Sequence, residues 1–191
     1  MDEGSKKGEL SAQDAPKPLN ATQLSYASYL KVPQLLSLQE PLTEPEQQDE
    51  TLFIIIHQVY ELWFKQILHE LNYGIRALEQ DQLMVFVRVL GRVQAIQRTL
   101  TSQVEILETM TPGDFNRFRE RLNPASGFQS YQFRELEFRL GAKDRAYLRF
   151  YKHQPEATEV LNQALADRSL YDHFLACVAR RNQPVPQAVL A

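Results

Sequence analysis

Two patterns in this sequence place reactive side chains at a spacing that matters. The first is a polar row at steps of four, His57, Glu61, Lys65 and His69, set in an otherwise apolar stretch. Such a row lies along one helix face and can satisfy itself through i,i+4 pairs. Glu61, Lys65 and His69 therefore read as a solvated stripe. His57 differs, because four large apolar residues, Phe53 to Ile56, precede it. A histidine there either takes one partner in the core or faces a ligand pocket, and spacing alone favours the core. The second pattern is Phe115 and Arg119, which puts a ring and a guanidinium on one helix face. That pair suits a ligand with an apolar ring and a carboxylate, since guanidinium binds carboxylate bidentately. Arg117 and Arg121 stand close by, so the plainer reading is a solvated face with one arginine turned inward.

Other chemistries fail on spacing. A zinc-protease helix needs a second histidine four residues after the first, but His69-Glu70 runs on to Asn72 and Tyr73. A ferritin-like di-iron site needs Glu three residues before His, which none of His57, His69, His153 or His173 has. The single cysteine, Cys177, excludes an internal disulfide or a cysteine-cluster metal site, and its spacing with Phe174 and Val178 reads as core. No metal-ligating set is expected, and no glycine-rich phosphate loop occurs.

These residues must be positioned by helices. Seven glycines in 191 residues, with long helix-period segments, point to an all-α fold: a bundle of long antiparallel helices preceded by short N-terminal ones. A net charge of −3 argues against a nucleic-acid or anionic-membrane binder. No apolar leader and no transmembrane-length stretch are visible, so a cytoplasmic location is expected. Residues 1–22 read as a disordered tail and 23–191 as one helical domain. Tyr26, Tyr29 and Leu30 begin a short helix and Pro33 opens a second. The organising helix runs from an Asp49 cap to about Leu78, and is apolar nearly all round, which predicts burial. An Asp81 cap starts a helix from Leu83 to Met110, about 42 Å long at 1.5 Å per residue. Thr111-Pro112-Gly113-Asp114 is a helix start, with Thr as cap and Pro at the first position. Ser126 with Gln129 resembles a capping box for a helix from Phe128 to Leu140, ended by Gly141. Further helices are expected over Lys143–Tyr151, Pro155–Ala166 and Ser169–Arg181.

Many separate segments, in order, match one known family. Leu24-Ser-Tyr26-Ala-Ser-Tyr29-Leu30, Leu52-Phe53-Ile-Ile-Ile-His57-Gln58, Glu61-Leu-Trp63-Phe-Lys65, Leu107-Glu108-Thr109-Met110-Thr111-Pro112, Phe115-x-x-Phe118-Arg119 and Pro124-Ala-Ser-Gly-Phe-Gln-Ser130-x-Gln132-Phe133-Arg134 closely resemble tryptophan 2,3-dioxygenase. The resemblance implies a haem enzyme that adds both atoms of O2 across the indole double bond of L-tryptophan, giving N-formylkynurenine. It implies a homotetramer of helical subunits. Carried over by position, His57 becomes the distal histidine that hydrogen-bonds the indole N–H without ligating iron. Phe53 packs on the indole, Phe115 lines the pocket and Arg119 clamps the carboxylate. Tyr26 and Leu30 reach into a neighbouring subunit's pocket.

The same comparison marks departures. In the family, the proximal haem histidine and a Gly-Thr-Gly-Gly-Ser-Ser-Gly loop touching the substrate ammonium lie further along than Ala191. Gln47-Gln48 stands where histidine is usual, Ala27 replaces a glycine and Pro33 takes an acidic position. Three readings follow: an enzyme that works with a separate C-terminal part, a non-catalytic relative that keeps an indole or amino-acid pocket, or the product of a split gene with apolar faces exposed.

Overall fold

The structure is a computed structural model and describes residues 24–186. The expected tail over 1–22 lies outside the described residues. All regular structure among them is helical. The chain divides into two compact units at Leu38/Gln39.

The N-terminal unit carries α1 (Tyr26–Leu30) and α2 (Val32–Leu35). Ser25 caps α1 through a reciprocal box with Ser28. Lys31, at φ 54°, turns the chain between the two, and Pro33 stands at the start of α2, where its missing N–H costs nothing. Among its described residues no side chain is buried.

The second unit is built on α3 (Gln48–Glu79) and α4 (Leu83–Leu107). Partners run in opposite directions along the two: Tyr60 Oη donates to Leu100 O at 2.7 Å, Arg92 pairs with Glu70 at 2.8 Å, and Gly74 faces Phe86 and Val89. The pair is therefore antiparallel. A Cβ on Gly74 would stand 3.2 Å from Val89 Cγ1, so glycine is what lets the helices approach this closely. Ile67, Leu71, Leu78, Phe86, Val93 and Ile96 fill the seam. α5 (Pro112–Leu122) and α6 (Tyr131–Leu140) follow, separated by a 3-10 turn, Gly127–Gln129. A second 3-10 segment (Arg145–Tyr151), α7 (Pro155–Ala166) and α8 (Leu170–Arg180) complete the unit. α8 lays Leu170 and Cys177 into the main core, while Phe138, Tyr151, Ala157, Leu161 and Ala164 make a smaller one.

Several expectations change. α3 starts one residue before Asp49, and its N-cap, Gln47, makes no side-chain cap bond. Glu50 is the first-turn acid with a structural task. Buried, it accepts from the backbone of Leu42 and Thr43 and from the Thr43 hydroxyl, and these bonds hold its carboxyl below the usual range against the opposing pull of burial. Asp81 does not cap α4 either. It sits at φ 56° and turns its carboxylate to Arg180 and Cys177 of α8, which lowers its pKa. α4 ends at Leu107, three residues early. The Ser126–Gln129 box opens the 3-10 turn, and α6 starts later from a Ser130 cap. The helix expected over 143–151 is instead a 3-10 segment limited to Arg145–Tyr151. Nor is α3 buried all round, since Ile55 and Leu62 are exposed.

The His173 imidazole, on α8, stands 3.4 Å from Glu79 Oε1. Burial pushes its pKa below 6.5, more than Glu79 raises it, with Arg168 and Arg180 also lowering and Asp172 raising. An unfolded chain thus binds this proton more readily than the native one, and stability falls as pH drops below about 6.5. Urea denaturation from pH 7 to 5 is expected to show this loss, and His173→Gln to flatten it. An unchanged slope in the variant refutes the assignment.

Candidate functional site

The first five turns of α3 carry Phe53, His57, Tyr60, Glu61 and Phe64 at steps of three and four, so they share one face. Opposite them stands α5. It forms where it does because Thr111 Oγ1 accepts from Asp114 N at 3.2 Å and Pro112 takes the first turn. That register points Phe118 inward, fully buried, and brings Phe115 beside Phe53. The three rings interlock: Phe53 is 5.7 Å from Phe115 and 5.5 Å from Phe118, which meets Phe115 edge-on at 5.4 Å.

Two adjoining cavities open around Phe53. One, of about 580 Å³, is lined by aromatic and aliphatic groups, including Tyr60, Phe64, Leu107 and Phe133, with His57 and Glu61 as its ionisable members. The other, of about 730 Å³, is the more polar of the two and is lined by Phe115, Asn116, Arg119 and Glu120. Phe53, Leu122 and the loop residues Ala125, Ser126 and Gly127 belong to both. They are two lobes of one cleft, apolar and polar, with a common wall.

His57 is half-buried, its ring 4.1 Å from that of Phe53. Its Nδ1 is 2.7 Å from the Phe53 carbonyl oxygen, which can only accept. The Nδ1–H therefore donates there, and in the neutral ring Nε2 is left as an acceptor. Both openings of the histidine question hold, since one nitrogen has its core partner and the residue lines the cavity. Arg119 is exposed, with its guanidinium 5.9 Å from the Phe115 ring centre. Arg117 and Arg121 are exposed as well, Arg117 reaching Asp114 at 3.9 Å. Tyr60 lends only its ring, because its hydroxyl is committed to Leu100.

Phe53, His57, Phe115 and Arg119 are thus gathered on one cleft. Tyr26 and Leu30 lie in the N-terminal unit, where both are exposed. Lys65 and His69 are exposed as expected for a solvated stripe, but Glu61 is not part of it. It is half-buried, lines the apolar lobe, and accepts from Gln132 Nε2 at 2.8 Å. Sequence reasoning also missed the Ala125–Gly127 wall. Its serine and glycine read as a helix start, and only packing shows that the turn closes a cleft. Among the described residues no group of three or more His, Cys, Asp or Glu could hold a metal.

Among the described residues, a helical scaffold brings together an aromatic cleft, an imidazole acceptor and a guanidinium, the groups a planar, acid-bearing molecule would need. Comparison with known proteins gives it a lineage. The family model for tryptophan 2,3-dioxygenase matches residues 10–186. Proteins of that name from Nocardioides sp. (strain ATCC BAA-499 / JS614), Arthrobacter sp. (strain FB24) and Caulobacter vibrioides are similar to it. They are 52% identical over 159 residues, 45% over 170 and 44% over 170. These matches cover 81%, 89% and 89% of this chain. The chain belongs to the tryptophan 2,3-dioxygenase family. It spans about 60% of the length of the first two relatives and 64% of the third.

Proposed function

We propose that this chain supplies the substrate-facing part of a tryptophan 2,3-dioxygenase, acting on L-tryptophan and O2 in the cytoplasm to give N-formylkynurenine. The observation that carries the reading is the cleft itself, with an imidazole nitrogen free to accept an indole N–H at one lobe and a guanidinium at the other. Phe53 and Phe115 offer ring faces to the indole, and Arg119 a fork to the carboxylate.

Part of the apolar lining would take a haem, leaving His57 and Phe53 to the indole. Tyr60, Phe64, Leu107, Leu122 and Phe133 would hold a flat macrocycle by contact, and the Ser126 and Ser130 hydroxyls could bond its polar groups. When bound, that group supplies the activation of oxygen, leaving the protein orientation and electrostatics. The described residues place one imidazole on the lobe. That imidazole, of His57, is read as the indole's partner; His69 and His153 are exposed and His173 lies against Glu79, so the residue that would hold the haem iron would come from another segment or chain. We place that segment among the partners, together with further copies of this chain, into whose clefts Tyr26 and Leu30 would reach.

The role of the protein here is to hold the indole with its N–H on His57 Nε2 and its carboxylate on Arg119. This fixes the reacting carbon–carbon bond in one orientation and keeps water from the ring. His57→Ala is expected to leave thermal stability nearly unchanged but to abolish the preference for L-tryptophan over its N1-methyl analogue. Titration of both ligands by calorimetry, with and without haemin, tests this. A collapse of stability instead restores a purely structural histidine.

A further inference from the structure

The wall shared by the two lobes lies in a loop whose residues, from Asn123 to Phe128, are exposed. Its own bonds are local: Ala125 N to Leu122 O, Phe128 N to Ser126 Oγ, Gln129 N to Ser126 O, Ser130 N to Gly127 O. Bonds within a loop shape it but do not locate it against the rest of the fold. Among the described residues, one side chain distant in sequence bonds to this segment. Tyr151 Oη donates to the carbonyls of Ser130 at 3.1 Å and Phe128 at 3.3 Å.

Tyr151 is well suited to be a fixed post. It is fully buried, in the small core with Phe138 and Leu161. Its backbone carbonyl accepts from Thr158 Oγ1 at 2.8 Å and from Gln154 N at 2.8 Å, which ties it to the start of α7. Arg134 braces the same corner. Its buried guanidinium lies 3.8 Å over the Tyr147 ring and pairs with Glu137. Neither Tyr151 nor any residue of α7 lines either lobe.

We propose that Tyr151 is a positioning residue, whose hydroxyl latches the Ala125–Ser130 wall against both lobes and couples the peripheral Arg145–Ala166 segment to the ligand site. The latch itself follows from the fold, while its consequence for ligands rests on the function proposed above. If the competent site is the latched state, loosening the latch lowers apparent affinity by the fraction of time the wall spends away. Because the wall serves both lobes, L-tryptophan and indole should suffer alike.

Tyr151→Phe removes the hydroxyl and keeps the ring. Hydrogen exchange at Phe128, Gln129 and Ser130 is expected to quicken roughly five-fold, the effect of one net hydrogen bond, with little change elsewhere. Thr158→Val, which loosens the post from behind but leaves the hydroxyl, is the control and should change these amides less. Affinities for L-tryptophan and indole are expected to fall by a similar factor in Tyr151→Phe. Unchanged loop exchange, an equal rise throughout the chain, an equal effect of Thr158→Val, or a large drop in melting temperature each overturns the latch. If L-tryptophan does not slow loop exchange in the unaltered chain, the functional reading fails. The latch is then still decided by the exchange difference between the two variants.

Discussion

Replacing Arg119 by alanine is expected to weaken L-tryptophan binding by about 1.5–3 kcal/mol, the range for a hydrogen bond to a charged group. That corresponds to roughly ten- to 150-fold in affinity. Indole, which has no carboxylate, should bind the variant as well as it binds the unaltered chain. The guanidinium lies 5.9 Å from the Phe115 ring centre and lines the polar lobe, while the rings proposed to face an indole are those of Phe53 and Phe115. The lower end of the range is favoured, because Arg119 is exposed and water screens part of its attraction. Equal weakening of both ligands would falsify the clamp. Arg119→Lys should recover only part of the loss, since an ammonium cannot present two parallel donors.

The largest effect on stability is expected at Phe118. The ring is fully buried and touches both Phe53 and Phe115. Truncation to alanine removes a core aromatic and leaves a void that a helix-borne neighbour fills only in part, at a cost of about 3–5 kcal/mol. The rings it releases are those read as the indole's walls, so ligand affinity should drop even where the chain is still folded. Phe115→Ala separates the two effects: half-buried, it should cost less stability yet still impair binding. Urea midpoints together with titrations at low temperature measure both. If Phe118→Ala retains the affinity of the unaltered chain, Phe118 is packing alone and does not support the site.

What could be read from the sequence followed the range of the interaction. The start of α5 was legible because Thr111, Pro112 and Asp114 act within one turn, and α7 because Pro155 and the Ala166 end are local signals. The Phe115–Arg119 pairing belongs to the same kind, as does His57, whose core partner is the carbonyl four residues back. Asp49 and Asp81 read as caps, whereas the caps are Gln47 and Gln82. For Asp81 the reason is that Arg180 and Cys177, on α8, offer its carboxylate partners that no local pattern announces. Glu61 reads as solvated from its spacing because Gln132, which holds it inward, is 71 residues away. The wall loop was legible as a helix start but not as a wall, since that role exists only once α3 and α5 face each other.

The lining common to both lobes has a thermodynamic consequence. Any molecule that settles the apolar lobe against Phe53, Leu122 and Ala125 to Gly127 has already arranged part of the surface its neighbour will meet. Whatever factor one occupant adds to the other's affinity, the second returns to the first, whichever arrives first. On the function proposed, a dissociation constant taken with one lobe vacant would describe a less prepared protein than one with both filled.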